Sequence, residues 1–197
     1  MIEHSSLSVM FTVDRGVTHE LVRHRLASFA QESTRYCNYS IDKFGNEVSF
    51  VIPSLFLTDD KYLWSIKKIA ETGLVSNDDE DLNNTVYLWG LACCDCEDSY
   101  ISMLNQGEKA QTARAVLNNS TKANITITAN YREWRQIFKL RCESDAHPDM
   151  RFIMIPLLNE IHERIPVVFD DLYDRFSAYP EFNHIVDSYA YTSKIVH

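Results

Sequence analysis

No apolar run in this 197-residue chain approaches membrane length, and its opening residues do not read as a signal peptide. A cytoplasmic protein without a membrane partner is expected. Cysteine is sparse and odd in number, five at positions 37, 93, 94, 96 and 142, without the spacing of a disulfide framework. That fits a reducing compartment. Cys93, Cys94 and Cys96 fall in a helical pattern, where adjacent residues diverge by about 100° and no second ligand pair is at hand, so no metal site is expected. The acidic run from Ser76 to Asp81 lacks the glycine and distal glutamate of a calcium loop and reads as solvated chain. Positive charge is in deficit: the net charge of −9 excludes nonspecific binding to nucleic acid or to an anionic membrane, since both need a basic face. Repeats, low-complexity segments and linkers are also missing, and one domain over residues 1–197 is the expectation.

Against these absences stand 45% hydrophobic and 24% charged residues, an ordinary globular balance. Residues 109–151 hold eight basic against four acidic side chains, a local +4 that leaves −13 on the rest. Such a basic island suits a small anion such as a nucleotide.

Periodicity gives an α+β chain, helices packed on a small mixed sheet. Ser8–Val13 reads as a strand ended by Gly16, and Thr18 as the cap of a helix carrying Arg23-His24-Arg25 in its last turns. Val48–Ile52 reads as a second strand, stopped by Pro53. Helices are expected at 59–71, closed by Gly73, and at 82–104, ended by Gly107, with a shorter one at 109–117. The alternating stretch Lys122–Thr128 predicts a strand, and a helix follows at 131–142. Pro148 and Pro156 frame another helix, and a last one lies near 167–176 before a Tyr-rich tail.

The chemistry concentrates in the stretch from Arg23 to Tyr36, three arginines, a histidine and three hydroxyl side chains behind a short apolar approach. Guanidinium groups bind phosphate and carboxylate through forked pairs of hydrogen bonds, so their convergence points to an anionic ligand. Arginines at a helix C-terminus also have a purely electrostatic explanation, and His24 a structural one. A second cluster lies at 107–141. Within it Arg132, Gln136 and Leu140 recur every four residues and share one helix face, while Arg141 turns off that face by about 100°. One helix could thus serve two ligands, or present a solvated basic face through Arg132, Arg135, Lys139 and Arg141. Arg114 sits among apolar neighbours. As nucleophiles, Cys37, Cys93 and Cys142 have no neighbouring base in sequence, and Ser33 has no evident triad partner.

Arg23-His24-Arg25, seven residues, then Ser33 resembles the signature of flavin-dependent thymidylate synthases. The flanking His19-Glu20-Leu21-Val22 and Ser33-Thr34-Arg35-Tyr36 are similar too, as are Gly107…Ala113-Arg114-Ala115-Val116-Leu117, Asn130-Tyr131-Arg132-Glu133 and Leu140-Arg141. These blocks span most of residues 3–151. Of the family's Gly-His-x-Ser/Thr-x-x-Glu-His stretch only Glu3-His4 stands here, so the domain reads as N-terminally short.

The resemblance implies the fold of thymidylate synthase-complementing proteins and an FAD-dependent methyltransferase that converts dUMP to dTMP. Methylenetetrahydrofolate would be the carbon donor and NADPH the reductant of FAD. It implies a homotetramer with flavin sites between subunits. It places Glu20, Gln31, Ser33, Thr34, Arg35, Arg114 and Arg141 at dUMP, with Ser33 and Arg141 as catalytic residues. Glu3, Arg23, His24, Arg25, Leu26, Asn130, Arg132, Gln136, Leu140 and His147 would lie beside FAD, His147 as the residue stacked on the flavin. The alternative is a shortened relative that assembles and binds nucleotide without turnover.

Overall fold

The computed structural model describes residues 1–39, 47–72 and 82–177. The expected stop at Gly73, the acidic loop at 76–81, most of the turn after Asn38 and the Tyr-rich tail lie outside them. Three strands and eight helices make up the described chain, an α+β fold as the periodicity predicts. Strand β1 is Ser6–Asp14, β2 Ser28–Gln31 and β3 Lys122–Asn130, arranged β1-β3-β2. The sheet is antiparallel rather than mixed. The Ser8 and Thr128 hydroxyls meet at 2.7 Å, and the Thr12 hydroxyl donates to Asn124 Oδ1 at 2.8 Å, two pairs of one antiparallel register. Along β3, Ala123, Ile125, Ile127 and Ala129 are buried and their neighbours are not, the period of two that marks a strand with one inner face.

The described chain divides into two compact units: residues 1–11, 17–30 and 125–177 in one, 12–16, 31–39, 47–72 and 82–124 in the other. The first holds most of helix α1, Arg15–Leu21, together with α6 (Tyr131–Arg141), α7 (Pro148–Arg164) and α8 (Pro166–Phe176). Its core is aromatic: Phe138 lies 5.7 Å from Trp134 and 5.8 Å from Phe169, centroid to centroid. Offset rings of this kind add specific attraction to their buried area. The Trp134 indole N–H donates to the Leu7 carbonyl at 3.0 Å, and both Arg135 Nη atoms donate to the Asp171 carboxylate at 2.7 Å. Arg135 therefore does not join a solvated basic face.

The second unit holds α2 (Ser54–Thr58), α3 (Asp60–Thr72), α4 (Asn84–Asn105), α5 (Ala110–Ala113) and a 3-10 turn at Arg114–Val116. Phe56, Ile66, Ile69 and Val86 pack in one cluster and Tyr39, Val48, Cys93 and Tyr100 in another. Asn83 caps α4 by accepting from Thr85 N at 3.0 Å, and Gly107, at φ +91°, ends the turn that follows it. Among the described residues no helix is long and apolar enough to cross a membrane.

Four local expectations change. Helix α1 starts at Arg15 and stops at Leu21, so Thr18 is a buried helical residue rather than a cap, and Arg23-His24-Arg25 occupy the turn beyond it. The Arg15 N–H is taken by the Asn119 and Thr121 carbonyls at 2.9 and 3.1 Å, which starts the helix early. Gly16 opens that helix instead of ending the strand; a Cβ there would meet Asp14 Oδ1 at 2.9 Å. Val48–Ile52 gives a single bridge, Phe50 to Thr121, made by Val51 N–H to the Ser120 carbonyl and Lys122 N–H to the Ser49 carbonyl, both at 2.8 Å; the Val48 N–H goes to the Glu97 carboxylate at 2.6 Å instead of to a neighbouring strand. Finally, α7 runs through Pro156 instead of ending there. Proline normally breaks a helix interior, and here five apolar side chains flanking it, Phe152, Met154, Ile155, Leu158 and Ile161, are buried and hold the helix together.

Candidate active site

Helix α6 begins where β3 ends. Asn130 is its cap, its Oδ1 accepting from Glu133 N at 2.9 Å, and Trp134, Ile137 and Phe138 turn into the core. On the other side Arg132, Gln136 and Leu140 are exposed together, the face that four-residue spacing predicts. Arg141, in the last turn, leaves that face. Its Nη1 donates to Glu20 Oε2 at 2.7 Å, its Nη2 to the Glu20 carbonyl at 3.0 Å and its Nε to His24 Nε2 at 2.9 Å. Three of five N–H bonds are thereby used, and two remain for a ligand.

His24 is buried, and burial together with the neighbouring Arg141 pushes its pKa down to about 4. An arginine only donates, so Nε2 accepts and the imidazole proton sits on Nδ1. That nitrogen faces Glu133 Oε1 at 3.9 Å. The structure thus gathers Glu20, His24 and Arg141 into one cluster, and His24 turns away from its exposed neighbours Arg23, Arg25 and Leu26.

Neither Arg23 nor Arg25 has an ion-pair partner among the described residues, and Leu26 is 82% exposed. Glu3 and Arg132 pair with each other at 2.5 Å on the surface. His147 caps α7, its Nδ1 accepting from Asp149 N at 3.3 Å, while the imidazole stays half exposed.

The other residues that the resemblance assigns to dUMP belong to the other unit. Gln31 ends β2, and Ser33 Oγ accepts from Arg35 N at 3.4 Å in the turn that follows. Thr34 is buried, and its hydroxyl accepts from Arg114 Nη1 at 3.5 Å, a long bond that leaves the exposed Arg114 loosely held. Arg35 is exposed, with its guanidinium 5.3 Å from the Tyr36 ring centroid. Burial pushes the Cys93 and Cys142 thiols up to about 12, which leaves neither as a thiolate near neutrality.

Residues 1–167 match the protein family described as Thymidylate synthase complementing protein. The chain belongs to this family. A flavin-dependent thymidylate synthase of Mycobacterium avium (strain 104) is 33% identical over 174 residues, 87% of this chain and 63% of that protein. One from Corynebacterium aurimucosum is 31% identical over 176 residues, covering 88% and 64%. The chain therefore spans a little under two thirds of the length of these relatives. Thymidylate Synthase X (ThyX) from Helicobacter pylori, solved with FAD and dUMP, matches with a TM-score of 0.60 over 87% of this chain and 74% of that one. At 22% identity that likeness is one of fold.

Within this family frame, one residue of the Arg141 cluster escapes sequence reasoning. Glu133 looks like a surface partner of the Asn130 cap, yet its side chain is buried behind His24. The family block Asn130-Tyr131-Arg132-Glu133 includes it without giving it a role, and the Asn130-x-x-Glu133 spacing of a capping box points the wrong way.

Proposed function

We propose that the protein is a flavin-dependent thymidylate synthase, a cytoplasmic homotetramer that methylates dUMP to dTMP. Methylenetetrahydrofolate supplies the carbon and NADPH the reducing equivalents. The observation that carries this reading is Arg141, a guanidinium fixed by three hydrogen bonds with two N–H bonds left over. A donor held in advance loses little on meeting negative charge that develops on a pyrimidine ring. Ser33, Thr34, Arg35 and Arg114 are assigned to the phosphate end of dUMP, with Glu20 and Gln31 completing the set.

The residues assigned to FAD fit it. Arg23 and Arg25 are exposed and without acidic partners among the described residues, which suits a pyrophosphate. Leu26 and Leu140 are exposed apolar surface, which suits a flat ring system, and Gln136, Arg132, Glu3, Asn130 and His147 are polar groups in the same unit. FAD, when bound, supplies the redox chemistry. The chain's own residues bind and orient: His24 holds Arg141, Glu20 braces it, and Ser33 holds nucleotide.

Purified protein tests this. Yellow protein with a flavin spectrum, oxidising NADPH in step with dTMP formation from dUMP, is the expected result. Colourless protein that still binds dUMP supports instead a relative that binds nucleotide without turnover.

A further inference from the structure

Glu133 occupies the third position of α6, where an acid in the Asn130-x-x-Glu133 pattern ordinarily reaches back to the cap's own N–H. Here its side chain is 8% exposed, and Oε1 stands 3.9 Å from His24 Nδ1. Its backbone N–H is used by the Asn130 cap, but its carboxylate has no hydrogen-bond donor among the described residues. Burying such a group is costly without a compensating interaction, and burial raises its pKa accordingly. Among the described residues, the basic side-chain nitrogen within 4 Å of it is His24 Nδ1.

That placement has a consequence for the ring. A neutral imidazole carries one proton, and its position decides which nitrogen accepts. Arg141 Nε needs an acceptor, and finds it in His24 Nε2 at 2.9 Å. With the proton on Nδ1, the N–H dipole faces the Glu133 carboxylate; with the proton on Nε2, a lone pair would face that carboxylate and an N–H would face the guanidinium. Both contacts favour one tautomer. At 3.9 Å the carboxylate acts through charge rather than a formed hydrogen bond.

We infer that Glu133 is a positioning residue, fixing the His24 tautomer that receives Arg141 and so setting the direction in which the guanidinium meets dUMP. The inference rests on the dUMP site proposed above. The chain of contacts is Glu133, His24, Arg141, with Glu20 holding the far side of the guanidinium.

The test is a long-range 15N spectrum of the histidine-labelled protein at pH 7, with His24 assigned by comparison with His24→Gln. The expected result is a single Nδ1–H tautomer in the unsubstituted protein. In Glu133→Leu the signals move toward a mixture of tautomers. The Kd for dUMP rises about tenfold, the lower end of what groups that orient a histidine contribute elsewhere, while flavin content stays constant. Glu133→Gln, nearly isosteric and still carrying an oxygen acceptor, recovers part of both effects and replaces Glu133→Leu should that variant not fold. An Nε2–H tautomer in the unsubstituted protein overturns the inference, and so does Glu133→Leu with unchanged tautomer and unchanged Kd. Failure of the unsubstituted protein to bind dUMP overturns the assigned site instead; a tautomer shift in Glu133→Leu would still uphold the link from Glu133 to His24.

Discussion

Arg141 and Arg25 are both arginines of the unit built on α6, and the fold treats them in opposite ways. Arg141 is largely buried and tied down by Glu20 and His24; Arg25 is exposed, with no acid paired to it among the described residues. A guanidinium bound on three sides has already lost its rotamer freedom, and its orientation is fixed before a ligand arrives. One left in solvent contributes nothing to the fold and keeps its charge for a partner. Under the proposed function, the contrast separates a residue that directs from residues that attract.

The contrast is tested hardest at Arg141 itself. Arg141→Ala should weaken dUMP binding by roughly 2–4 kcal/mol through loss of a charge-assisted contact, and leave flavin occupancy nearly intact. Calorimetry with dUMP beside the flavin spectrum of the same sample decides it; equal loss of both ligands would break the two-surface description of α6.

Acid should loosen the same cluster next. The folded His24 pKa of about 4 lies below its ordinary 6.5, so the unfolded chain takes up the proton first as pH falls. The stability of the neutral ring is complete above pH 6.5 and is lost as pH drops toward 4, by an amount on the order of 1–3 kcal/mol. Urea unfolding at pH 7 and pH 4.5 measures it, and His24→Gln should flatten the difference.

Arg25→Ala should do the converse of Arg141→Ala. Flavin binding should weaken by about 1–2 kcal/mol, with global stability unchanged within roughly 0.5 kcal/mol because the side chain is exposed. A fall in melting temperature without loss of flavin would reverse the assignment of roles. Smallest of all, Glu3→Gln should cost under about 1 kcal/mol of stability, since the pair with Arg132 is open to water and salt. Repeating the melt in high salt should erase that difference.

How much of this was legible follows from where each signal resides. Strand β3 shows its two-residue alternation openly, and α6 announces itself by the Asn130 cap and the spacing of Trp134, Ile137 and Phe138, because local pattern and tertiary burial agree there. The exposed Arg132–Gln136–Leu140 face was readable for the same reason. The start of α1 was not: the Arg15 N–H finds its acceptors in the Asn119 and Thr121 carbonyls, a hundred residues away, and no local pattern announces them. Four-residue β2 was hidden inside the arginine motif, too short to show a period. Pro156 misled because its penalty is local while the burial that overrides it is not. Glu133 was hidden most thoroughly, since a charged residue one turn into a helix reads as surface until its surroundings are known.

Trp134 adds a practical consequence. Its fully buried indole stands one residue from Glu133 and donates to Leu7, whereas Trp64, on α3, is half open to solvent. Trp89, the third, is only half-buried; buried indole emits at shorter wavelength and is shielded from iodide, so the bluest and most quencher-resistant part of the emission belongs to the helix that ends in Arg141. Loosening of that helix can therefore be followed by light, without a label, before either ligand is added.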